Sequence, residues 1–367
     1  MAAGTYSQAV NTSPYYSVQL RKFGAVALVS MIAIIFATVY LMPFGNMLIV
    51  ALESRDQLAT TASGVVLPVE PITYTYPPGG TSCQKDQCSI YNVPQADGTT
   101  KQWALVNAHR QNSDFIDPAN PSAGLITWQG QWRTLDQVTA LKPHPENFVT
   151  AWNEINFPLL FRNTLVIALT GMIGTLLSSI CVAYAFARFP IPGKNILFLV
   201  LIGTIIIPQQ VTLIPTYAFF ARIGWTGTWL PLIVPHFFAN AYNVFLLRQY
   251  FMTLPRQLDE AAMIDGASPL QVLLQVIIPQ SWPVIVAVGM FHFVFAWNDY
   301  FGPLIYLLGK PDFQPISVGV QVFNFAYGAH PELVQATSLL AMALPVLMFF
   351  LAQRFFMRGV VITGVEK

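Results

Sequence analysis

Residues 253–279 read TLPRQLDEAAMIDGASPLQVLLQVIIP, a stretch too polar for a buried span and too regular for a loop. Thr253 is placed to cap a first helix, and Pro255 fits its first turn, where a missing N–H costs nothing. Gly266 supplies a left-handed stop. Ser268, with Pro269 behind it, starts a second helix, and Pro279 is expected to end it. The pattern predicts helix, turn, helix. The first helix is about three turns long, with Leu254, Leu258, Ala261 and Ala262 along one side. Such a small-residue face permits close packing into a partner's groove, and Asp259, Glu260 and Asp265 offer charge-assisted bonds to a basic partner. A helix that only rests on lipid usually carries Lys and Arg on its polar face. This one carries mainly carboxylates.

Around this segment the chain is apolar. Of its 367 residues, 54% are hydrophobic and 10% charged, against about 25% charged in an ordinary soluble protein. The net charge of +1 excludes a nucleic-acid-coating surface. Six charge-free runs stand out: 23–44, 165–187, 195–221, 223–247, 280–298 and 333–353. Each is about the length, roughly 20 residues, that a helix needs to cross a bilayer. The expected fold is therefore an all-α polytopic membrane protein with six transmembrane helices. Arg21 and Lys22 place the N-terminus in the cytoplasm, and six crossings return the C-terminus there. Short cytoplasmic segments then hold Arg188, Lys194, Arg248, Arg256, Arg354, Arg358 and Lys367, whereas short outer loops hold only Arg222 and Lys310. That asymmetry is the one the positive-inside rule expects.

The boundaries read as a cytoplasmic tail over 1–22, a first span over 23–44, an extracytoplasmic excursion over 45–157, and a helical core over 158–367 with the cytoplasmic segment 253–279 inside it. Short alternating runs at Thr73–Tyr76 and Trp103–Val106 suggest strands in the excursion. Cys83 and Cys88, in an outer oxidising compartment, are disulfide candidates. No cluster with metal-ligand spacing occurs, and Cys181 reads as a small core residue.

Glu260-Ala261-Ala262, Gly266 and Val276-Ile277-Ile278-Pro279 together resemble the EAA signature of bacterial ABC importer permeases, with Val-Ile-Ile-Pro in place of the usual Ile-x-Leu-Pro. Leu246 to Phe251, Trp297-Asn298-Asp299, Pro303-Leu304 and Gln353 to Phe356 are similar to the six-span permease partner of the maltose-type carbohydrate importers. The resemblance covers about 158–367 and the first span. It implies a type I importer permease fold, with the long loop between spans 1 and 2 as an insertion. It implies that the signature segment is a coupling helix, with Asp259, Glu260, Ala261, Ala262, Asp265, Gly266 and Pro279 serving ATPase coupling. Glu260 would pair with a basic residue of the ATPase, and Gly266 would aim the helix. Thr363 to Lys367 would reach the same interface.

The implied partners are a second permease in a heterodimer, an ATPase dimer, an extracytoplasmic solute-binding protein, a carbohydrate, and membrane lipid in a prokaryotic plasma membrane. No phosphate-cradling Gly-x-x-x-x-Gly-Lys-Ser/Thr loop occurs, so the chain is expected to bind no cofactor and to be no enzyme; ATP and Mg would belong to the ATPase. Polar residues in spans are costly in lipid. Gln209, Asn240, Asn243, His292 and Asn298 are therefore the candidates for lining a translocation path, with interhelical hydrogen bonding as the competing role. An ion-coupled secondary transporter would want more buried ionisable groups than His292 and leaves the signature unexplained. A membrane enzyme would want a paired-carboxylate, metal or nucleophile cluster, and none is legible. A di- or oligosaccharide is the expected solute, with a polyol or sugar phosphate as alternatives.

Overall fold

The computed structural model describes residues 14–60, 67–76, 81–83, 86–95, 98–325 and 329–361, without the side chains of 14–17, 20, 59, 60, 209, 325 and 355–361. The first 13 residues and the closing stretch Thr363 to Lys367, for which a partner contact is expected, lie outside the described residues. The chain forms two compact units, Met1–Pro143 and His144–Lys367.

In the first unit, α1 (Pro14–Ala51) carries a 31-residue apolar stretch from Arg21 to Ala51. Residues 21–46 are exposed all round, as suits a helix solvated by lipid on every side. Helix α2 (Arg55–Thr60) follows. Ser54 and Gln57 close its start reciprocally, Ser54 N–H donating to Gln57 Oε1 (2.6 Å) and Gln57 N–H to Ser54 Oγ (3.2 Å). Gln57 Nε2 also donates to the Lys142 carbonyl (2.9 Å), tying the start of this unit to its end.

Seven strands complete the unit: β1 (Val69–Pro71), β2 (Thr73–Thr75), β3 (Gln87–Pro94), β4 (Thr100–Asn107), β5 (Asn112–Ile116), β6 (Ile126–Gln129) and β7 (Thr139–Leu141). Strands β2 to β6 form an antiparallel meander in chain order, and β1 pairs with β7. Both faces of the meander are covered. Trp103 and Leu105 of β4 pack with Val93 and Phe115 on one face. Ala104 and Val106 pack with Cys88, Ile90 and Ile116 on the other. Burial on both faces corrects the reading of Trp103–Val106 as an alternating run: all four residues are apolar and buried. Cys83 and Cys88 are joined in a disulfide, with their Cα atoms 4.3 Å apart, at the edge of the second face. The expectation of an all-α fold is thus corrected: a small sheet domain precedes the second span.

The second unit is helical: α3 (Glu146–Glu154), α4 (Phe157–Arg188), α5 (Lys194–Gly203), α6 (Gln209–Arg222), α7 (Leu230–Ile233), α8 (Ala241–Thr253), α9 (Arg256–Ile264), α10 (Pro269–Val272), α11 (Ile278–Gln280), α12 (Trp282–Asn298), α13 (Phe301–Tyr306), α14 (Ile316–Gly319), α15 (Val322–Phe325) and α16 (Pro331–Val361). It begins at His144, so α3 belongs to the same compact unit as α4 to α16.

Among the described residues four helices are long and apolar enough to cross a membrane: Arg21–Ala51, Phe157–Arg188, Leu230–Thr253 and Pro331–Arg354. Two bent pairs bring the number to six if each counts as one crossing: Lys194–Ile206 with Gln210–Arg222, bent by 98°, and Pro269–Gln280 with Trp282–Asn298, bent by 83°. The third predicted span is therefore not a continuous helix. Pro208 sits at its break in extended conformation, as a residue with no N–H to give a helical ladder does. A core joins α4, α8, α10 and α12 through Ile180, Tyr184, Leu247, Phe251, Val272 and Ile285.

Candidate functional site

The signature segment is built from three local stops. Thr253 Oγ1 donates back to the Tyr250 carbonyl (2.7 Å), so Thr253 closes α8 and does not cap α9; Pro255 holds that N-cap position without a side-chain bond. Helix α9 ends in a Schellman turn. Ala267 N–H donates to the Ala262 carbonyl (2.9 Å) and Gly266 N–H to the Met263 carbonyl (3.1 Å). Gly266 has φ +85°, and a Cβ there would meet nothing within 4 Å, so glycine is required by backbone conformation and not by crowding. Ser268 then opens α10 with a full capping box: Gln271 N–H donates to Ser268 Oγ (3.4 Å), and Ser268 N–H to Gln271 Oε1 (2.7 Å).

Pro279 does not end the second helix. The chain stays helical through a π-turn at Leu273–Ile277 and through α11 to Gln280, and only then bends towards α12. Proline offers no N–H to the preceding turn; the widened π-turn just upstream is where the ladder is already interrupted.

The segment is fastened to the spans by polar and apolar contacts. Arg188, the last residue of α4, places Nε 2.8 Å from Asp259 Oδ2, and its Nη2 donates to the Leu254 carbonyl (3.1 Å). Tyr184 Oη donates to the Pro269 carbonyl (3.2 Å), and Tyr250 Oη to the Gln280 carbonyl (3.1 Å). Asp259 is 8% exposed, so it is not the surface carboxylate expected for a basic partner: it turns inward beside Arg188, with its Oδ1 left without a hydrogen-bond partner. Burial pushes its carboxyl above the usual carboxylate range, against the pull of Arg188 and Arg256. Ala261 and Ala262 do not share an outer face either. Ala262 packs on the core with Ala267, and Ala261 faces out.

What the segment shows to the outside is a tip around the turn. Glu260, Asp265 and Gly266 are exposed there. Met263 is 52%, Ile264 86% and Leu270 61% exposed. These three apolar residues were not singled out from the sequence. Their signal was available: apolar side chains on both sides of a left-handed glycine cannot all turn to the core.

The polar span residues separate. Asn240 is the N-cap of α8, its Oδ1 accepting from Tyr242 N–H (3.0 Å) and Asn243 N–H (3.3 Å). Asn243 is buried on that same turn. Asn298 is exposed and donates to Val294 of its own helix (2.8 Å). Gln209 starts α6, and its side chain lies outside the described residues. His292 is buried, with Nδ1 3.2 Å from Thr175 Oγ1 and its ring 4.5 Å from that of His236 in edge contact. His236, which the sequence reading missed, lies in the break between α7 and α8. Its carbonyl accepts from Ser178 Oγ (3.3 Å). The glycines of α4 make this approach possible. A Cβ at Gly171 would stand 2.9 Å from His292 Nε2, and one at Gly174 would stand 2.5 Å from the Phe237 ring.

Comparison with known proteins meets this geometry. Residues 174–361 match the family of binding-protein-dependent transport system inner membrane components. The chain is 34% identical, over 69% of its length and 85% of the relative's, to the osmoprotective compounds uptake permease protein GgtD of Synechocystis sp.. It is 35% identical, over 57% of its length and 74% of the relative's, to the sn-glycerol-3-phosphate transport system permease protein UgpE of Pectobacterium atrosepticum. In fold it is similar to a chain of a bacterial ABC transporter involved in the import of the acidic polysaccharide alginate. The TM-score is 0.61 at 17% identity, covering 96% of this chain and all of that one. The chain belongs to the binding-protein-dependent transport system inner membrane components, as a multi-pass, non-catalytic permease subunit of an ABC transporter.

Proposed function

We propose that the chain forms half of the translocation path of an importer for a carbohydrate, and that residues 255–280 carry ATPase motion into it. The observation that carries this reading is the exposed tip around Gly266, seated on a stem whose core is shared with α4, α8 and α12. A docked tip on such a stem moves the spans as a unit, since packed interiors transmit displacement. Glu260, exposed and in no ion pair among the described residues, is the carboxylate for a basic ATPase residue. Asp265, Gly266 and Ala261 border the contact, Asp259 fixes the lever to α4, and Pro279 helps set the bend behind it.

In this reading the bent pairs each make one crossing, giving six spans with both termini in the cytoplasm and the sheet domain outside. The partners are a second permease, two ATPase subunits that hold ATP and Mg, and a solute-binding protein. The solute is an uncharged, hydroxyl-rich carbohydrate. Its support is the uncharged polar character of Thr175, Ser178, Ser179 and Asn243, packed behind the α7–α8 break. A mild-detergent pull-down with quantitative mass spectrometry tests the assembly. Recovery of a second permease, two ATPase copies and a binding protein supports it; recovery of the chain without any ATPase sinks it. Sugar screening of the recovered binding protein then tests the solute.

A further inference from the structure

The apolar stretch Leu230–Thr253 is interrupted between α7 and α8. A 3₁₀ turn at Val234–Phe237 gives way to extended backbone at Phe238 (φ −106°, ψ 123°) and Asn240 (φ −85°, ψ 131°). The break lies deep among the helices. A Cβ on Gly171, near the middle of α4, would stand 3.2 Å from His236 Cδ2. Among the described residues, the backbone N–H groups of Ala239 and Asn240 meet no acceptor. Lipid offers them none, so irregular backbone at this depth faces protein or a water-filled passage.

The side chains on the break point to the passage. Phe237 lays its ring against Gly174, whereas Phe238 is 75% exposed. Asn240 uses Oδ1 to cap α8, which fixes its amide and leaves Nδ2 to donate outward. His236 is half-buried, with the His292 ring in edge contact behind it at 4.5 Å. Fixed donors beside an open aromatic face suit a ligand with apolar C–H faces and a rim of hydroxyl oxygens. We propose that His236–Asn240 is where this chain touches its solute. One face of a sugar ring stacks on Phe238, and its hydroxyl oxygens accept from the Ala239 and Asn240 N–H groups and from Asn240 Nδ2. The His236 imidazole closes the site, and His292 stands behind it without lining the path. This rests on the carbohydrate reading above and names its contact residues.

The test uses the permease assembled with its companion, ATPase and binding protein in ATP-loaded proteoliposomes. Radiolabelled maltose and trehalose are the neutral probes, and sn-glycerol 3-phosphate is the charged one. Asn240→Ser keeps a capping oxygen but loses the amide donor. Asn240→Ser and Phe238→Leu should each slow disaccharide import roughly tenfold, with the companion permease recovered in unchanged amount. Phe238→Trp, which keeps an aromatic face, should import within about twofold of the wild type. Unchanged import in either of the first two variants overturns the proposal and leaves the carbohydrate reading standing. Loss of import together with loss of the companion makes the break a contact between subunits and overturns it too. A wild type that imports neither disaccharide overturns the carbohydrate reading, and the proposal with it.

Discussion

Arg188 Nε and Asp259 Oδ2 stand 2.8 Å apart and join the last residue of a membrane span to the inner face of the helix that carries the family signature. Both side chains are largely buried, at 8% and 11% exposure. Such pairs fix position more than they stabilise, because desolvation offsets the Coulombic gain. The raised Asp259 carboxyl agrees.

The sign of the pH dependence follows. An acid with a folded pKa above its unfolded value near 3.8 contributes stability that is fully present below that value and is lost as pH rises through the folded pKa. Asp259→Asn, neutral at every pH and still able to accept from the guanidinium, should remove this dependence. In a pH series of thermal unfolding, the variant should gain on the wild type from about pH 4 upward. It should also keep most import. Asp259→Lys, which buries two cations together, should cost roughly 3–5 kcal/mol and abolish import. Restoration by the swap Arg188→Asp with Asp259→Lys would confirm the contact.

Substitutions at Gly266 should rank by tolerance of a positive φ, because no neighbour crowds the position. Gly266→Asn should be mildest, Gly266→Ala should cost about 1–2 kcal/mol, and Gly266→Pro should abolish import with membrane insertion intact. Import assays alongside quantification of the inserted chain separate the two effects.

Glu260→Lys should abolish import while leaving thermal stability within about 0.5 kcal/mol of wild type, as an exposed position should. Normal import by this variant would show that the outer carboxylate is not used.

Gly174→Ala should destabilise by about 1–3 kcal/mol, since the new methyl would meet the Phe237 ring at 2.5 Å. Phe237→Leu in the same chain should recover part of the loss, and a thermal-shift comparison of the single and double variants reads it.

The sequence made the long apolar helices, the turn at Gly266 and the cap at Ser268 legible, because each depends on local chemistry: apolar length, a left-handed backbone, a side-chain oxygen before proline; the bends within the third and fifth predicted spans were not legible. It did not reveal the inward turn of Asp259, since a carboxylate between Leu258 and Glu260 looks like surface until Arg188, 71 positions upstream, is placed beside it. His236 was hidden for a similar reason. Its meaning comes from the glycines of another helix that let its ring reach His292. The sheet domain was half visible: its alternating runs marked strands, but the two-sided packing of β4 needed the register with β3 and β5.

The central claim is that the tip at Ile264, 86% exposed, meets the ATPase. The most direct test is Ile264→Cys in a Cys181→Ser background, crosslinked in native membranes with a short bifunctional maleimide and analysed by mass spectrometry. The account predicts one product joining this chain to the ATPase subunit, with a yield that changes on adding ATP. A cysteine that captures no ATPase, while remaining freely labelled by the reagent, would contradict it.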